Sequence, residues 1–335
     1  MEDHYALNLL FDAAQQSRRC ARPRTDADTS AMARRVKAGT VTRPYRGMYA
    51  RTDYWNALDR HEQVRHVVRT LSSMHPDWVF CGPTAAIMHG LDCSYRLTGP
   101  ICIVSDRPTR RQSSKQLIRY AITYPDTEMA DGVPVTGLLR TLYDCVAKLP
   151  TRYSLAQLDS AIRLGKVAAP TLKAYPCSLP HVRDRNRIEE VFDLADGRSE
   201  NGGESEGRGV LATIGYPPDD IQVEFPCLQR QRRVHRVDYL WKREDGSLLI
   251  GEFDGVRKYI DPTMTSGRTI RAVVDDERDR QRCLEHQGAA IIRFYYTDLD
   301  YPGRIARGLS AQGLSRKPGI PSLPFPYTVS SRNRS

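Results

Sequence analysis

Arg236-Val237-Asp238-Tyr239-Leu240-Trp241, then Lys242-Arg243-Glu244-Asp245-Gly246-Ser247, then Leu248-Leu249-Ile250-Gly251-Glu252-Phe253-Asp254-Gly255 is the most informative run in this chain. Two β-rich segments flank an Asp-Gly pair, the pattern of a hairpin. With Glu244-Asp245-Gly246 as a three-residue loop and Gly246 left-handed, Arg243 faces Ser247, and counting back along both strands sets Asp238 opposite Glu252. Side chains alternate along a strand, so Asp254 shares the face of Glu252 while Phe253 points the other way, toward core. Three carboxylates converging near the strand ends are costly without a cation, whereas Mg²⁺ or Mn²⁺ takes oxygen ligands and bridges to phosphate. The chemistry suggested is metal-assisted hydrolysis of phosphodiesters; the plain alternative is an acidic hairpin whose charges are merely solvated.

Upstream, Asn201-Gly202-Gly203-Glu204-Ser205-Glu206-Gly207-Arg208 leads into Val210-Leu211-Ala212-Thr213-Ile214-Gly215, a helix whose first turn holds Glu204 or Glu206. Acids there also serve simply to complement the helix dipole. Downstream, Asp276 to Leu284 reads as a charged helix ending near Gly288, followed by an apolar strand from Ala289 to Phe294. Helix, hairpin, helix, strand is the order of a nuclease core.

On these pieces, residues 202 to 296 resemble the restriction-endonuclease-like superfamily, in its branch related to very-short-patch repair endonucleases. The matching residues are Gly203-Glu204-Ser205 with Arg208, Arg236-Val237-Asp238-Tyr239, Glu252-Phe253-Asp254-Gly255 with Lys258-Tyr259, and Glu277, Arg280 and Leu284 before Ile292-Arg293-Phe294. The resemblance implies Asp238 as the central metal ligand, Glu252 as the partner carboxylate on the next strand and Glu204 as a carboxylate supplied by the first helix. Arg280 would contact phosphate or steady the acidic cluster, a surface ion pair being the plainer role. The superfamily's common Glu-x-Lys is replaced here by Glu252-Phe253-Asp254, which removes a lysine expected to activate water or stabilise charge. Lys258, near where the related branch often places a histidine, is a candidate for the missing positive group, and a solvated lysine is the other reading.

The rest of the chain sets the context. Its 335 residues exceed one ordinary domain, and 40% apolar with 27% charged residues is usual for a soluble protein. No apolar run approaches the ~18 residues of a membrane span, and the start, Met1-Glu2-Asp3-His4, lacks the features of a secretory signal, so a cytoplasmic protein is expected. The eight cysteines are dispersed, with no Cys-x-x-Cys pair and no zinc-like spacing, and read as buried thiols. Fifty Lys and Arg against forty Asp and Glu, a net charge of +10, favour nucleic acid as partner.

Toward the N-terminus, Leu7, Leu10, Phe11 and Ala14 mark a first helix over 5 to 16. A second, capped by Asp28, Thr29 or Ser30, runs to Gly39, and two short strands over 40 to 50 follow with Pro44 and Gly47 between them. Helix, helix, hairpin is the outline of a winged helix. Arg34, Arg35, Lys37, Arg43, Arg46 and Arg51, with Tyr45 and Tyr49 interleaved, can neutralise DNA phosphates, and a solvated basic face is the competing reading. Beyond it, strands over 78 to 81, 101 to 105, 117 to 123 and 133 to 135 alternate with helices from Pro83 and from Leu138 in a central α/β region. His89 reads as a core or cap histidine.

Ala33-Arg34-Arg35-Val36-Lys37-Ala38-Gly39 to Arg46-Gly47-Met48-Tyr49, together with Gly82-Pro83-Thr84-Ala85-Ala86, Gly90-Leu91 and Val135 to Asp144, resembles the AbiEi-type antitoxin family of abortive-infection systems. It covers about residues 5 to 165 and implies a winged-helix DNA reader joined to an α/β domain. The expected fold is thus mixed α/β (α+β). A winged-helix region spans 1 to 52, an antitoxin-like α/β domain 53 to 166, a linker 167 to 202, a restriction-endonuclease-like α/β/α domain 203 to 312 and a disordered basic tail 313 to 335. The expected function is a Mg²⁺- or Mn²⁺-dependent endonuclease acting on DNA, in defence against foreign DNA by resemblance. The alternatives are a non-cleaving transcriptional repressor or antitoxin, and a module that neutralises a cognate toxin.

Overall fold

The hairpin read around Glu244-Asp245-Gly246 forms with the register its turn dictates. In the computed structural model, which describes residues 2–105, 116–123, 125–180, 182–227, 234–254 and 270–326 (backbone only at 2–4, 254 and 270–277), the chain is a mixed α/β protein with several small sheets. It divides into two units between Cys145 and Val146.

The first unit opens with α1 (Glu2–Gln16), α2 (Asp26–Lys37) and the antiparallel pair β1 (Val41–Tyr45) and β2 (Met48–Arg51). Leu7, Phe11, Met32, Val41 and Tyr49 are buried together as their core. The cap of α2 is Thr25, earlier than expected. Its hydroxyl accepts from the Asp28 N–H while the Asp28 carboxylate accepts from the Thr25 N–H, so an acid three residues on completes a reciprocal box that a cap at Asp28 would lose. After α3 (Thr52–Ala57) and α4 (Arg60–Met74) comes α5 (Gly82–Met88). Parallel strands β3 (Ile101–Ser105) and β4 (Leu117–Ala121) follow, then the hairpin β5 (Thr127–Ala130) and β6 (Val133–Thr136), and α6 (Leu138–Lys148). The strand expected over 78 to 81 contracts to isolated bridges from Phe80 to Ile103 and Val135. His89 caps α5 and its ring nitrogen lies 3.0 Å from the Thr136 carbonyl.

The second unit runs from Val146 to Pro326. Three helices, α7 (Thr151–Arg163), α8 (Ala169–Ser178) and α9 (Arg185–Asp193), precede α10 (Gly202–Thr213). The stretch expected as a linker, with a short connecting helix over 188 to 194, carries two helices, α8 and α9; α9 falls on that expected helix and is held by buried Ile188, Val191 and Phe192, while α8 was not anticipated. Then come β7 (Asp220–Pro226), β8 (Val234–Lys242), β9 (Leu248–Asp254), α11 (Ile270–Glu285), β10 (Ala289–Tyr295) and α12 (Pro302–Ala311). The four strands form one sheet in the order β10-β9-β8-β7, with β9 and β10 parallel and the other pairs antiparallel. Parallel neighbours require the chain to cross back, and α11 is that crossover. In the β8–β9 hairpin Tyr239 pairs with Gly251 and Lys242 with Leu248; Gly246 has φ +81°, and its N–H donates to the Arg243 carbonyl at 3.0 Å. β7 was not anticipated, although Ile221, Val223 and Phe225 alternate with polar residues at strand spacing.

Small residues let α10 lie close to both of its neighbours. A Cβ on Gly207 would stand 2.6 Å from Tyr239 Oη and 3.2 Å from the Phe253 ring, and one on Gly203 would stand 3.1 Å from Phe253. On the α7 side, a Cβ on Gly209 would come 2.8 Å from the Arg152 Cα. Buried ion pairs complete that second contact: Arg152 with Glu206 at 2.8 Å and Arg208 with Asp159 at 2.5 Å. Residues 313–326, expected as disordered tail, run back along the end of α10. Lys317 N–H donates to the Gly215 carbonyl at 2.8 Å and Ile320 N–H to the Ala212 carbonyl at 3.2 Å. Main-chain pairing of this kind leaves no apolar pattern, which is why composition pointed elsewhere; the remainder of that stretch, 327–335, lies outside the described residues. Among the described residues no helix is long and apolar enough to cross a membrane.

The close crossing of α7 and α10 makes a signed prediction. Gly→Ala in an ordinary helix interior gains up to ~1 kcal/mol, but Gly209→Ala must push backbone away and should lose about 1–3 kcal/mol. Chemical denaturation of the variant against wild type reads the sign.

Candidate functional site

The carboxylates singled out in the sequence arrive from three elements. Glu204 sits in the first turn of α10, whose N-cap is Asn201: the Asn201 side-chain oxygen accepts from the N–H groups of Gly203 and Glu204 at 2.9 and 3.1 Å. The Asn201 amide nitrogen donates to Glu204 Oε1 at 2.6 Å, and Glu204 Oε2 accepts from the Glu200 N–H at 2.8 Å. Both oxygens of a carboxylate that is 4% exposed are thus met by hydrogen-bond donors at the N-terminal end of a helix. Tyr239 Oη, buried in the sheet, donates to the Glu204 carbonyl at 2.6 Å and pins this turn to β8.

Asp238 lies on β8 one step beyond the last paired residues of the hairpin, Tyr239 and Gly251, and so at the level of Glu252. There the strands part, and Asp238 Oδ2 accepts the Phe253 N–H at 2.7 Å in place of a main-chain acceptor. Glu252, 7% exposed on β9, accepts from Arg280 of α11 at 2.7 Å, and the same guanidinium donates to the Arg236 carbonyl at 2.6 Å. Arg280 is therefore bonded to Glu252 and to the strand that carries Asp238. Asp254 ends β9, but its side chain and the whole of Lys258 lie outside the described residues.

One member of the cluster was missed. Gln222 of β7 stands across from Asp238 with φ +52°, a left-handed backbone that glutamine adopts only at a cost. Its Nε2 donates to Glu204 Oε2 at 2.9 Å and reaches Asp238 Oδ1 at 3.3 Å, so one amide spans two carboxylates. Its Oε1 is buried without a hydrogen-bond partner. The alternation over 221 to 225 is the signal that would have found it.

Other candidates fall elsewhere. Glu206 turns away from Glu204, to Arg152 and to Tyr296 Oη at 3.0 Å. Arg208, part of the nuclease-like motif, donates to Asp159 and to the Leu194 carbonyl, a structural pairing. Burial drives the Asp159 carboxyl above its ordinary range against the opposing charge of Arg208. In the first unit, Arg34 and Lys37 are exposed in the last turn of α2 with Arg35 half-buried beside them, where cations also complement the helix dipole. Arg43 and Arg46 are exposed on β1 and its turn, Arg43 stacking over Tyr49 at 5.9 Å. Arg51 is engaged with Asp12 at 2.6 Å.

The dispersed cysteines hold a second surprise. None is in a disulfide, as expected, but Cys227, His235 and Cys283 bring one donor atom each to within 4.8 Å of one another. Among the described residues this trio, and not Glu204, Asp238 and Glu252, forms such a compact donor group. It was illegible because its members come from three separate segments.

Gln222 gives the carboxylate site a test. In chelator, Gln222→Glu sets a third acid between Glu204 and Asp238 and should cost more stability than Gln222→Ala, which loses about 1–3 kcal/mol. Added Mg²⁺ should restore Gln222→Glu and not Gln222→Ala, as read by thermal unfolding.

Two curated proteins of Mycobacterium tuberculosis are similar to this chain: Uncharacterized protein MT2308 of strain CDC 1551 / Oshkosh and Uncharacterized protein Rv2248 of strain ATCC 25618 / H37Rv. Each is 23% identical over 272 residues, 81% of this chain and 92% of the relative. No family model matches the chain, and no solved structure matches it.

Proposed function

We propose that the second unit is a metal-dependent endonuclease-like domain that hydrolyses phosphodiester bonds in DNA. The observation that carries the reading is Gln222 Nε2 joining Glu204 to Asp238 at the parted end of the β8–β9 hairpin, beside Glu252 and Arg280. The order of α10, three antiparallel strands, α11 and a parallel strand supports it, being the order of a restriction-endonuclease-like core. The donor chemistry suits a hard cation: carboxylate oxygens from Glu204, Asp238 and Glu252, with the partnerless Oε1 of Gln222 as a further oxygen in the same cluster. These are the residues that would hold Mg²⁺ or Mn²⁺. Such an ion supplies Lewis-acid polarisation of a phosphoryl oxygen and an acidified water.

The chain's own groups divide the remaining work. Asn201 and Tyr239 hold Glu204 in place, Phe253 N–H orients Asp238, and Arg280 orients Glu252 while offering a guanidinium suited to phosphate. The basic residues Arg34, Arg35, Lys37, Arg43 and Arg46 of the first unit serve as phosphate contacts. The arrangement of α1, α2, β1 and β2 supports a winged-helix reader, as the antitoxin resemblance implies. A cytoplasmic role in defence against foreign DNA fits this combination.

A second reading has its own observation. Glu252 is already neutralised by Arg280, and Asp254 stands where a catalytic lysine is expected, so a non-cleaving repressor or antitoxin would keep the same core for DNA or a cognate toxin.

Plasmid and linear DNA incubated with Mg²⁺ or Mn²⁺ separate the two. Nicking or cutting that falls by ~10²-fold or more in both Asp238→Ala and Glu252→Ala supports the nuclease. Intact DNA, with binding whose salt slope drops by about 1 for each of Arg34→Ala and Lys37→Ala, supports the regulator instead.

A further inference from the structure

We propose that Cys227, His235 and Cys283 form a zinc site that fastens the connected end of the β7–β8 hairpin to α11. Cys227 follows β7 directly, His235 is the second residue of β8 and pairs with Phe225, and Cys283 lies near the end of α11. The helix lies over this strand pair because Leu284 packs with Val237, Leu240 and Ile250, and that packing is what carries Cys283 to His235.

The geometry and the chemistry of the trio agree. The two sulfurs are 3.3 Å apart, and all three donors lie within 4.8 Å of one another. Tetrahedral zinc with Zn–S bonds of ~2.3 Å sets two thiolates about 3.8 Å apart, so an adjustment of about half an ångström suffices. Two thiolates and an imidazole select zinc over Mg²⁺, which prefers oxygen, and this site is chemically distinct from the carboxylate cluster. His235 and Cys283 are buried, at 4% and 1% exposure, Cys227 is half-buried, and the trio would supply three of the four ligands that zinc usually takes.

Gln287 holds the segments of two of the ligands together. Its Nε2 donates both hydrogens to carbonyls, those of Pro226 and Cys283, at 3.1 and 3.2 Å, so one amide ties the residue before Cys227 to the helix turn that carries Cys283. Zinc binding releases both thiol protons to solvent, so affinity falls as pH is lowered. The metal would tie Cys227 and His235, at the two ends of the 228–233 connection, to a helix almost fifty residues further along the chain.

The test uses the full chain, expressed with zinc in the medium and purified without chelator. About one zinc per chain should remain after gel filtration, and replacement by Co²⁺ should give a thiolate-to-cobalt charge-transfer band. Cys283→Ser and, at the half-buried position, Cys227→Ser should each weaken zinc binding by at least ~10-fold, whereas Cys177→Ser, at an exposed cysteine, should leave it unchanged. Wild-type protein with no zinc above background and no charge-transfer band overturns the proposal. So does a Cys227–Cys283 disulfide, found by peptide mapping of the chain as isolated. None of these readouts depends on DNA cleavage, so the result is independent of the nuclease reading.

Discussion

The close approach of α10 to the sheet governs the second unit. Gly203 and Gly207 lie one helical turn apart on the face that meets Phe253 and Tyr239, and nothing larger than hydrogen fits there. That proximity lets Tyr239 Oη reach the Glu204 carbonyl, and it sets the first turn of the helix, capped by Asn201, against the parted end of β8 and β9. Gly209 does the same toward α7, so the helix is fixed from both sides. A helix held this way presents Glu204 to the sheet and Glu206 to α7, which gives two acids two residues apart quite different work.

The acids of the cluster are met by named donors from the chain itself. Glu204 has Asn201, the Glu200 N–H and Gln222; Asp238 has Gln222 and the Phe253 N–H; Glu252 has Arg280. A cation entering there would compete with Gln222 and Arg280 for the same oxygens, so its affinity reflects a difference between two sets of bonds. The left-handed backbone at Gln222 and its partnerless oxygen are the costs left in the present arrangement, and both fall at the point where two carboxylates meet.

How much of this was legible in the sequence depends on the range of the interaction. The hairpin could be read because an Asp-Gly turn fixes register locally, and register fixes which acids face each other. An acid in the first turn, Glu204 or Glu206, could be read because it is a local signal, and only the resemblance singled out Glu204. Gln222 escaped because β7 was not recognised, although its alternation was present, and because its role arises only on pairing with β8. The Cys227, His235 and Cys283 group escaped because the sheet and a crossover helix must form before three distant donors meet. The Thr25 cap was misplaced by choosing a cap without its partner acid, and residues 313–326 were misjudged because they are held by main-chain bonds that composition does not record.

The central claim is that Asp238 and its neighbours bind a hard divalent cation. Calorimetric titration of Mg²⁺ into the wild-type chain and into Asp238→Asn addresses it without relying on any substrate, and the cysteine site, having soft donors, does not interfere. The account predicts a saturable Mg²⁺ site in wild type that is lost in Asp238→Asn while the variant keeps its folded-state thermal transition. Wild type that takes up no Mg²⁺, or an Asp238→Asn variant that binds it equally well, would contradict the account.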